Sequence, residues 1–340
     1  MSSILRKYIA EFRTGRELAS DDAEPILDAL ITESDESLMT DLFIAWNRKS
    51  IEENEIYSIA KVLRHRCTKV NSRHETVVDV VGTGGSKAKT FNVSTAAAFV
   101  AAGAGVAVAK HGNKAATSNT GSADVLSALG VEAAVDAATA ERCLNDIGIC
   151  FMFAPNFHRL SPTLGKVRRG LGFPTIFNCV GPLCNPAGVP HQLIGVWDKK
   201  LVPKMAGALA RLGTKKSWIV HGGQGLDELS LCGSSVVAEV ENGSFRELEV
   251  SPADFGIAES TMDGLRCDSA DASCAVIRGI FEGESNQTPA LSIVSMNAAA
   301  ALYISGNADD LTTSNRMASE SISEGRALAK LNALGEATRR

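Results

Sequence analysis

Some short stretches of this chain combine residue types that suit the grip of a multiply charged anion. The first is VVDVVGTGGSKAKTFNVST, Val77 to Thr95: an apolar run, a cluster at Gly82, Thr83, Gly84 and Gly85, then Asn92, Ser94 and Thr95 leading into alanines. Glycines after a buried strand let the backbone approach a bulky anion, and the N–H groups opening the next helix favour phosphate. The spacing fits neither a P-loop nor a dinucleotide-binding G-x-G-x-x-G, and a plain turn is the alternative. In the second stretch, KHGNKAATSNTGSADVLSALG, Lys110 and Lys114 flank His111, Gly112 and Asn113, and the hydroxyls of Thr117, Ser118, Thr120 and Ser122 follow. That suits a phosphate-rich ligand; the alternative is a polar loop with Ser122 as a helix cap. The third, HGGQGLDELS, sets Asp227 beside Glu228 in a glycine-rich loop. Next to a pyrophosphate such a pair suits Mg²⁺, which takes one or two carboxylates plus substrate oxygens. On its own it is usually just solvated.

The elements that must position these loops show in the pattern. Up to about Thr68 the chain has helical periodicity and no strand-like run, as in ASDDAEPILDALI, SDESLMTDLFIAWNRKS and IEENEIYSIAKVLRHRC, so a small helical bundle is expected. After Asn71, short Val- and Ile-rich runs (VVDVV, GVAVA, ICFMFA, LIGVW, SWIVHGG) alternate with Ala- and Leu-rich stretches of helix length. That grammar predicts an α/β fold with a mostly parallel central sheet covered on both faces. Ligands in such sheets sit beyond the carboxyl ends of the strands, where all three loops fall. Residues 158–188 break the alternation with basic residues, prolines and glycines. We therefore expect a small helical domain at 1–70, completed by part of 158–190, and an α/β domain at 71–340, closed by a C-terminal helix.

The 340 residues are 45% hydrophobic and 21% charged, which is ordinary for a globular protein and excludes a mainly disordered chain. A net charge of −5 argues against a general binder of nucleic acid or membrane surface, since both require a positive field. The eight cysteines form no C-x-x-C pair and sit mostly in apolar runs, so buried free thiols and a reducing cytoplasm are expected. The N-terminus reads as an amphipathic helix rather than a secretory signal. Phe91 to Ala109 approaches membrane-spanning length, but its polar residues and glycines predict a buried helix, a break and a buried strand.

Taken together, DVVGTGGSKAKTFNVSTAAAF, KHGN, TGSADVLSALG, FMFAP, VRRGLG, TIFNCVGPLCNPA and LDELS resemble the anthranilate phosphoribosyltransferase family in order and spacing over nearly the whole chain. Pyrimidine nucleoside phosphorylases share the same overall architecture. The resemblance implies transfer of a 5-phosphoribosyl group from phosphoribosyl pyrophosphate to the amine of anthranilate in tryptophan biosynthesis. It also implies Mg²⁺ and a cytoplasmic homodimer joined through the helical domain, with no nucleic-acid or membrane partner. Carried over by position, Gly82, Thr83, Gly85, Ser86, Thr90, Asn92, Ser94, Thr95, Lys110 and Ser122 would hold phosphoribosyl pyrophosphate. Ser94, Asp227 and Glu228 would bind metal, and Lys110, Asp227 and Glu228 would be catalytic. Gly82, Asn113, His158 and Arg168 would bind anthranilate, with the Arg168 fork on its carboxylate. His111 and His158 are expected to bind or to support rather than to exchange protons.

Some positions depart from the family pattern. Ser86 stands for the usual Asp, Lys87 for Gly, Lys114 for Arg, Asn119 for Lys, Arg159 and Leu160 for Pro-Ala, and Pro174 for Arg. These changes crowd the substrate loops and bear on acceptor choice and affinity. The alternatives are another aromatic acceptor, or a nucleoside phosphorylase, which would not need the acidic pair. A non-catalytic ligand or nucleic-acid binder should instead carry a basic stripe, and this chain shows none.

Overall fold

The computed structural model describes residues 2–86, 88–114, 121–284 and 288–339. Its strands are β1 (Val77–Gly82), β2 (Ala107–Gly112), β3 (Ile149–Phe153), β4 (His191–Gly195), β5 (Lys216–His221), β6 (Ser235–Glu241) and β7 (Ser244–Val250). Among the described residues they form one seven-stranded sheet in the order β3-β2-β1-β4-β5-β6-β7. The first five in that order run parallel, and β6 and β7 add an antiparallel edge. The chain is thus an α/β protein with a mostly parallel sheet. The β6–β7 hairpin turns at Asn242 and Gly243, both with positive φ, and Asn-Gly is the pair such tight turns favour.

Strand order reverses at β1: β2 and β3 lie to one side and β4 and β5 to the other, so β1 and β4 are neighbours at the switch. Loops leaving adjacent strands there diverge and open a crevice. Gly82 and Gly195 face each other in register at its floor.

Helices cover both faces. The N-terminal helices are α1 (Ser2–Arg13), α2 (Ala23–Thr32), α3 (Glu36–Lys49) and α4 (Glu53–Arg66). Between the strands come α5 (Val93–Gly103), α6 (Ser122–Ala128), α7 (Ala137–Ile147), α8 (Ala154–His158), α9 (Pro162–Gly170), α10 (Ile176–Leu183) and α11 (Leu201–Leu212). The chain closes with α12 (Ala270–Phe281), α13 (Pro289–Ile304), α14 (Leu311–Ser323) and α15 (Arg326–Thr338). Because side chains alternate along a strand, Val78 and Val80 enter one core with α5, α13 and α15, whereas Val81 and Ile194 enter another with α4, α10 and α11. The second core continues through α1 to α4; α3 packs on α9, and α4 on α10 and α11.

The near-membrane-length stretch is the buried helix α5, a turn and strand β2, and no helix among the described residues is long and apolar enough to cross a membrane. All eight cysteines are free, and all but Cys232 are buried.

Candidate active site

A cavity of about 610 Å³ lies beyond the carboxyl ends of the strands, at the β1–β4 switch. Part of its lining is the glycine loop after β1, where Gly82, Thr83, Gly85 and Ser86 border the space. Gly84 and Gly85 have φ of +66° and +87°, a region that disfavours any side chain bearing a Cβ. The Thr83 hydroxyl is buried and finds no hydrogen-bond partner among the described residues. Asn92 and Ser94, at the start of α5, face the same space, as does Thr90.

The loop after β5 closes over this floor because two glycines make room for it. A Cβ at 195 would lie 1.5 Å from the Asp227 carbonyl oxygen, and one at 82 would lie 3.0 Å from its Oδ2. Asp227 and Glu228 therefore project into the cavity side by side. Burial pushes both carboxyls above their usual range, and the charge of Asp227 pushes Glu228 further. The Gly84 N–H and the Ser86 hydroxyl draw Asp227 back; the Ser94 N–H, Lys110 and Thr90 do the same for Glu228. Glu228 Oε2 is buried without a hydrogen-bond partner among the described residues.

Lys110, at the end of β2, is 3% exposed; its Nζ donates to Val80 O at 2.6 Å and lies 3.4 Å from Ser94 Oγ. Burial lowers the ammonium to about 8, opposed by Asp79 and Glu228, so it stays mostly charged at neutral pH. Asn113 and Ser122 line the cavity next to it, and the Ser122 hydroxyl donates to Asn113 O at 3.3 Å. Ser122 is the first residue of α6 rather than its cap, which is Gly121. Lys87, Thr117, Ser118, Asn119 and Thr120 lie outside the described residues.

The rest of the lining includes a histidine pair and an arginine. His111 and His158 meet Nε2 to Nε2 at 3.2 Å. Burial and the neighbouring His158 drive His111 well below its usual value, and burial with the charge of Lys69 takes His158 to about 4. Both are neutral at physiological pH. Arg168, in the last turn of α9, stacks on the Phe177 ring at 5.1 Å, and its Nε is buried without a partner. Burial and nearby Arg169 lower it to about 10, so the guanidinium remains charged, and it lacks an anion among the described residues. Apolar Leu160, Leu164 and Val180 line the cavity as well, together with Arg169.

Residues 74–328 match the glycosyl transferase family, a/b domain. Over 328 residues the chain is 39% identical to anthranilate phosphoribosyltransferase of Clostridium kluyveri, covering 96% of this chain and 97% of that protein. It is 42% identical over 332 residues to the enzyme of that name from Roseiflexus sp., covering 97% of each. The crystal structure of anthranilate phosphoribosyltransferase from Thermus thermophilus superposes with a TM-score of 0.88 at 33% identity, covering 98% of this chain and 99% of that one. The chain belongs to the anthranilate phosphoribosyltransferases of the glycosyl transferase family. The Saccharomyces cerevisiae member, solved in complex with phosphoribosyl pyrophosphate and Mg, also superposes with a TM-score of 0.88, at 27% identity over 99% of this chain and 98% of that one.

Thr95 is the sequence-derived site residue that does not line the cavity. It is fully buried, because on α5 it is turned about 100° from Ser94. Other residues support the site without having been singled out. Asp79, fully buried on β1, accepts from the His111 N–H at 3.2 Å and from Asn185 Nδ2 at 2.8 Å, and Asn185 Nδ2 also donates to Ala109 O at 2.8 Å. Burial raises its carboxyl to about 6, opposed chiefly by Lys110. Asn178 on α10 donates to Thr83 O at 3.1 Å. A charged residue inside the apolar run VVDVV was the available sign for Asp79; for the two asparagines it was their place in TIFNCVGPLCNPA.

Proposed function

We propose that this chain transfers the 5-phosphoribosyl group of phosphoribosyl pyrophosphate to the amino nitrogen of anthranilate, releasing pyrophosphate, the tryptophan-biosynthetic reaction of its relatives. One observation carries the reading. A single cavity is lined both by groups suited to phosphates and by a charged arginine with no anion of its own among the described residues. Gly82, Thr83, Gly85 and Ser86, with Thr90, Asn92, Ser94 and Ser122, offer backbone and hydroxyl donors to the phosphates. Lys110 neutralises charge that grows on the departing pyrophosphate.

The acidic pair suits a divalent cation. Both carboxyls are held above their ordinary range, and Glu228 Oε2 has no protein donor among the described residues, so a cation shared with substrate oxygens would relieve both conditions. Among the described residues no group of three or more His, Cys, Asp or Glu could hold a metal unaided, which fits a metal carried in with the diphosphate. Asp227, Glu228 and Ser94 would hold Mg²⁺. When bound, it supplies Lewis-acid stabilisation of the leaving group.

In the reaction the bond from ribose C1 to the pyrophosphate oxygen breaks, a bond from C1 to the aromatic nitrogen forms, and the nitrogen releases one proton to solvent. No protein nucleophile is required. Positioning and electrostatic stabilisation of the leaving group carry the rate. Arg168 presents a planar fork to the anthranilate carboxylate, and Gly82, Asn113 and His158 border the acceptor's path. The neutral His111–His158 pair adds shape and hydrogen bonding without a competing charge.

The same reading takes 1–70, with part of 158–190, as a small helical domain and 71–340 as the α/β domain; the packing of α3 on α9 and of α4 on α10 supports this. It also includes a cytoplasmic homodimer joined through the helical domain, which sedimentation would test. For the activity itself, the purified chain is mixed with phosphoribosyl pyrophosphate, Mg²⁺ and anthranilate, and anthranilate fluorescence is followed. Loss of signal that requires all three components is expected; a flat trace would reject the reading.

A further inference from the structure

The geometry points to Asn178 as a positioning residue that fixes the Thr83–Gly84 peptide plane and so couples the affinities of the two substrates. Asn178 is 7% exposed and uses both ends of its amide. Its Oδ1 accepts the Thr175 N–H at 2.9 Å, capping the start of α10, and its Nδ2 donates to Thr83 O at 3.1 Å, across 95 positions of sequence. The Thr83 N–H is itself held by Gly195 O at 2.9 Å.

The peptide plane is therefore pinned from α10 by its carbonyl. Gly84, at φ +66°, has no side chain to resist reorientation of that plane, so the hydrogen bonds must hold it. Removing the Asn178 donor frees the carbonyl and loosens the peptide that leads into the glycine loop. The same first turn of α10 reaches the acceptor wall, because Phe177 stacks on Arg168 at 5.1 Å. Pro174, just upstream, packs against the glycine loop, where a Cβ at Gly85 would lie 3.1 Å from its Cγ.

An anion that draws Arg168 into place thus bears on α10, and α10 on the phosphate loop. By linkage the reverse holds with an equal factor. The inference rests on the substrate assignment above and adds which bond carries the communication between the two halves.

The test uses salicylate, which keeps the ring and carboxylate of anthranilate but replaces the amine. Its dissociation constant is measured by calorimetry on the full chain with and without phosphoribosyl pyrophosphate and Mg²⁺. Wild type should bind salicylate about 5-fold or more tightly when the phosphoribosyl substrate is present. Asn178→Asp retains an acceptor for the Thr175 N–H, and so the helix cap, but loses the donor to Thr83. Its coupling factor should fall to within about twofold of unity. Asn178→Ala, as the second variant, should do the same, with a lower melting temperature from the lost cap.

A merely structural Asn178 would give lower melting temperatures and weaker binding of both ligands with the coupling factor unchanged, and that result overturns the inference. So does a wild-type factor of one. If the wild type fails to consume anthranilate, the substrate assignment fails instead, and the two failures are told apart by that assay.

Discussion

The two walls of the cavity are built on opposite electrostatic plans. On the donor wall the cationic group comes already partnered, with Lys110 among Val80 O, Ser94, Asp79 and Glu228, and the acidic pair is left for a cation that arrives with the diphosphate. On the acceptor wall the histidines are neutral, the surroundings are largely apolar, and Arg168 is left without a counter-ion among the described residues. The donor wall can hold its geometry before substrate arrives, which suits a leaving group whose charge must be met without reorganisation. The acceptor wall leaves its strongest interaction to the substrate, which suits selection of one carboxylate-bearing ring.

Changes on the donor wall should cost rate, and those on the acceptor wall should cost acceptor affinity. The largest effect is expected from Lys110→Met, which removes the cation facing the leaving group; kcat measured at saturation should fall by about 10²–10³-fold. Next, Gly195→Ala forces the Asp227 carbonyl off the sheet edge. Steady-state kinetics should show kcat/KM for phosphoribosyl pyrophosphate falling by about 10²-fold, since misplacement near 1 Å costs that much. On the acceptor wall, His158→Gln disturbs one hydrogen-bonded partner of His111 and should raise the anthranilate KM by roughly 2- to 13-fold, the equivalent of about 0.5–1.5 kcal/mol. Because His158 becomes charged only near pH 4, the wild-type anthranilate KM should show no histidine titration between about pH 6 and 8.

The acidic pair gives a further contrast through stability. A carboxyl whose value is raised by folding favours the protonated native state, so metal-free stability falls as pH rises from the ordinary carboxylate range through about 6, the value for Asp227. Mg²⁺ with pyrophosphate binds the ionised pair. The melting-temperature increase they cause, followed by calorimetry, should therefore grow across that window, and an increase that shrinks as pH rises would count against the metal assignment.

The donor wall was largely legible in the sequence because its signals are local: glycines after an apolar run, a lysine at a strand end, adjacent acids in a glycine-rich loop. The alternation of short apolar runs with helix-length stretches likewise foretold the parallel sheet. The β6–β7 hairpin was the exception, although Asn242-Gly243 marked it. Arg168 was assigned from family resemblance rather than from local pattern, since nothing in VRRGLG says which arginine is buried against Phe177. Thr95, next to Ser94 on α5, is turned into the core rather than into the cavity lining. Asp79, Asn185 and Asn178 act across folds of the chain that bring residues 95 or 106 positions apart into contact, and such contacts leave no periodic trace.

The division of labour between the walls is tested most directly by the two Michaelis constants of Arg168→Ala. The anthranilate KM should rise by about 10- to 100-fold, the scale of a lost charge-assisted pair, while that of phosphoribosyl pyrophosphate stays within about threefold of wild type. Equal increases in both constants would contradict the account.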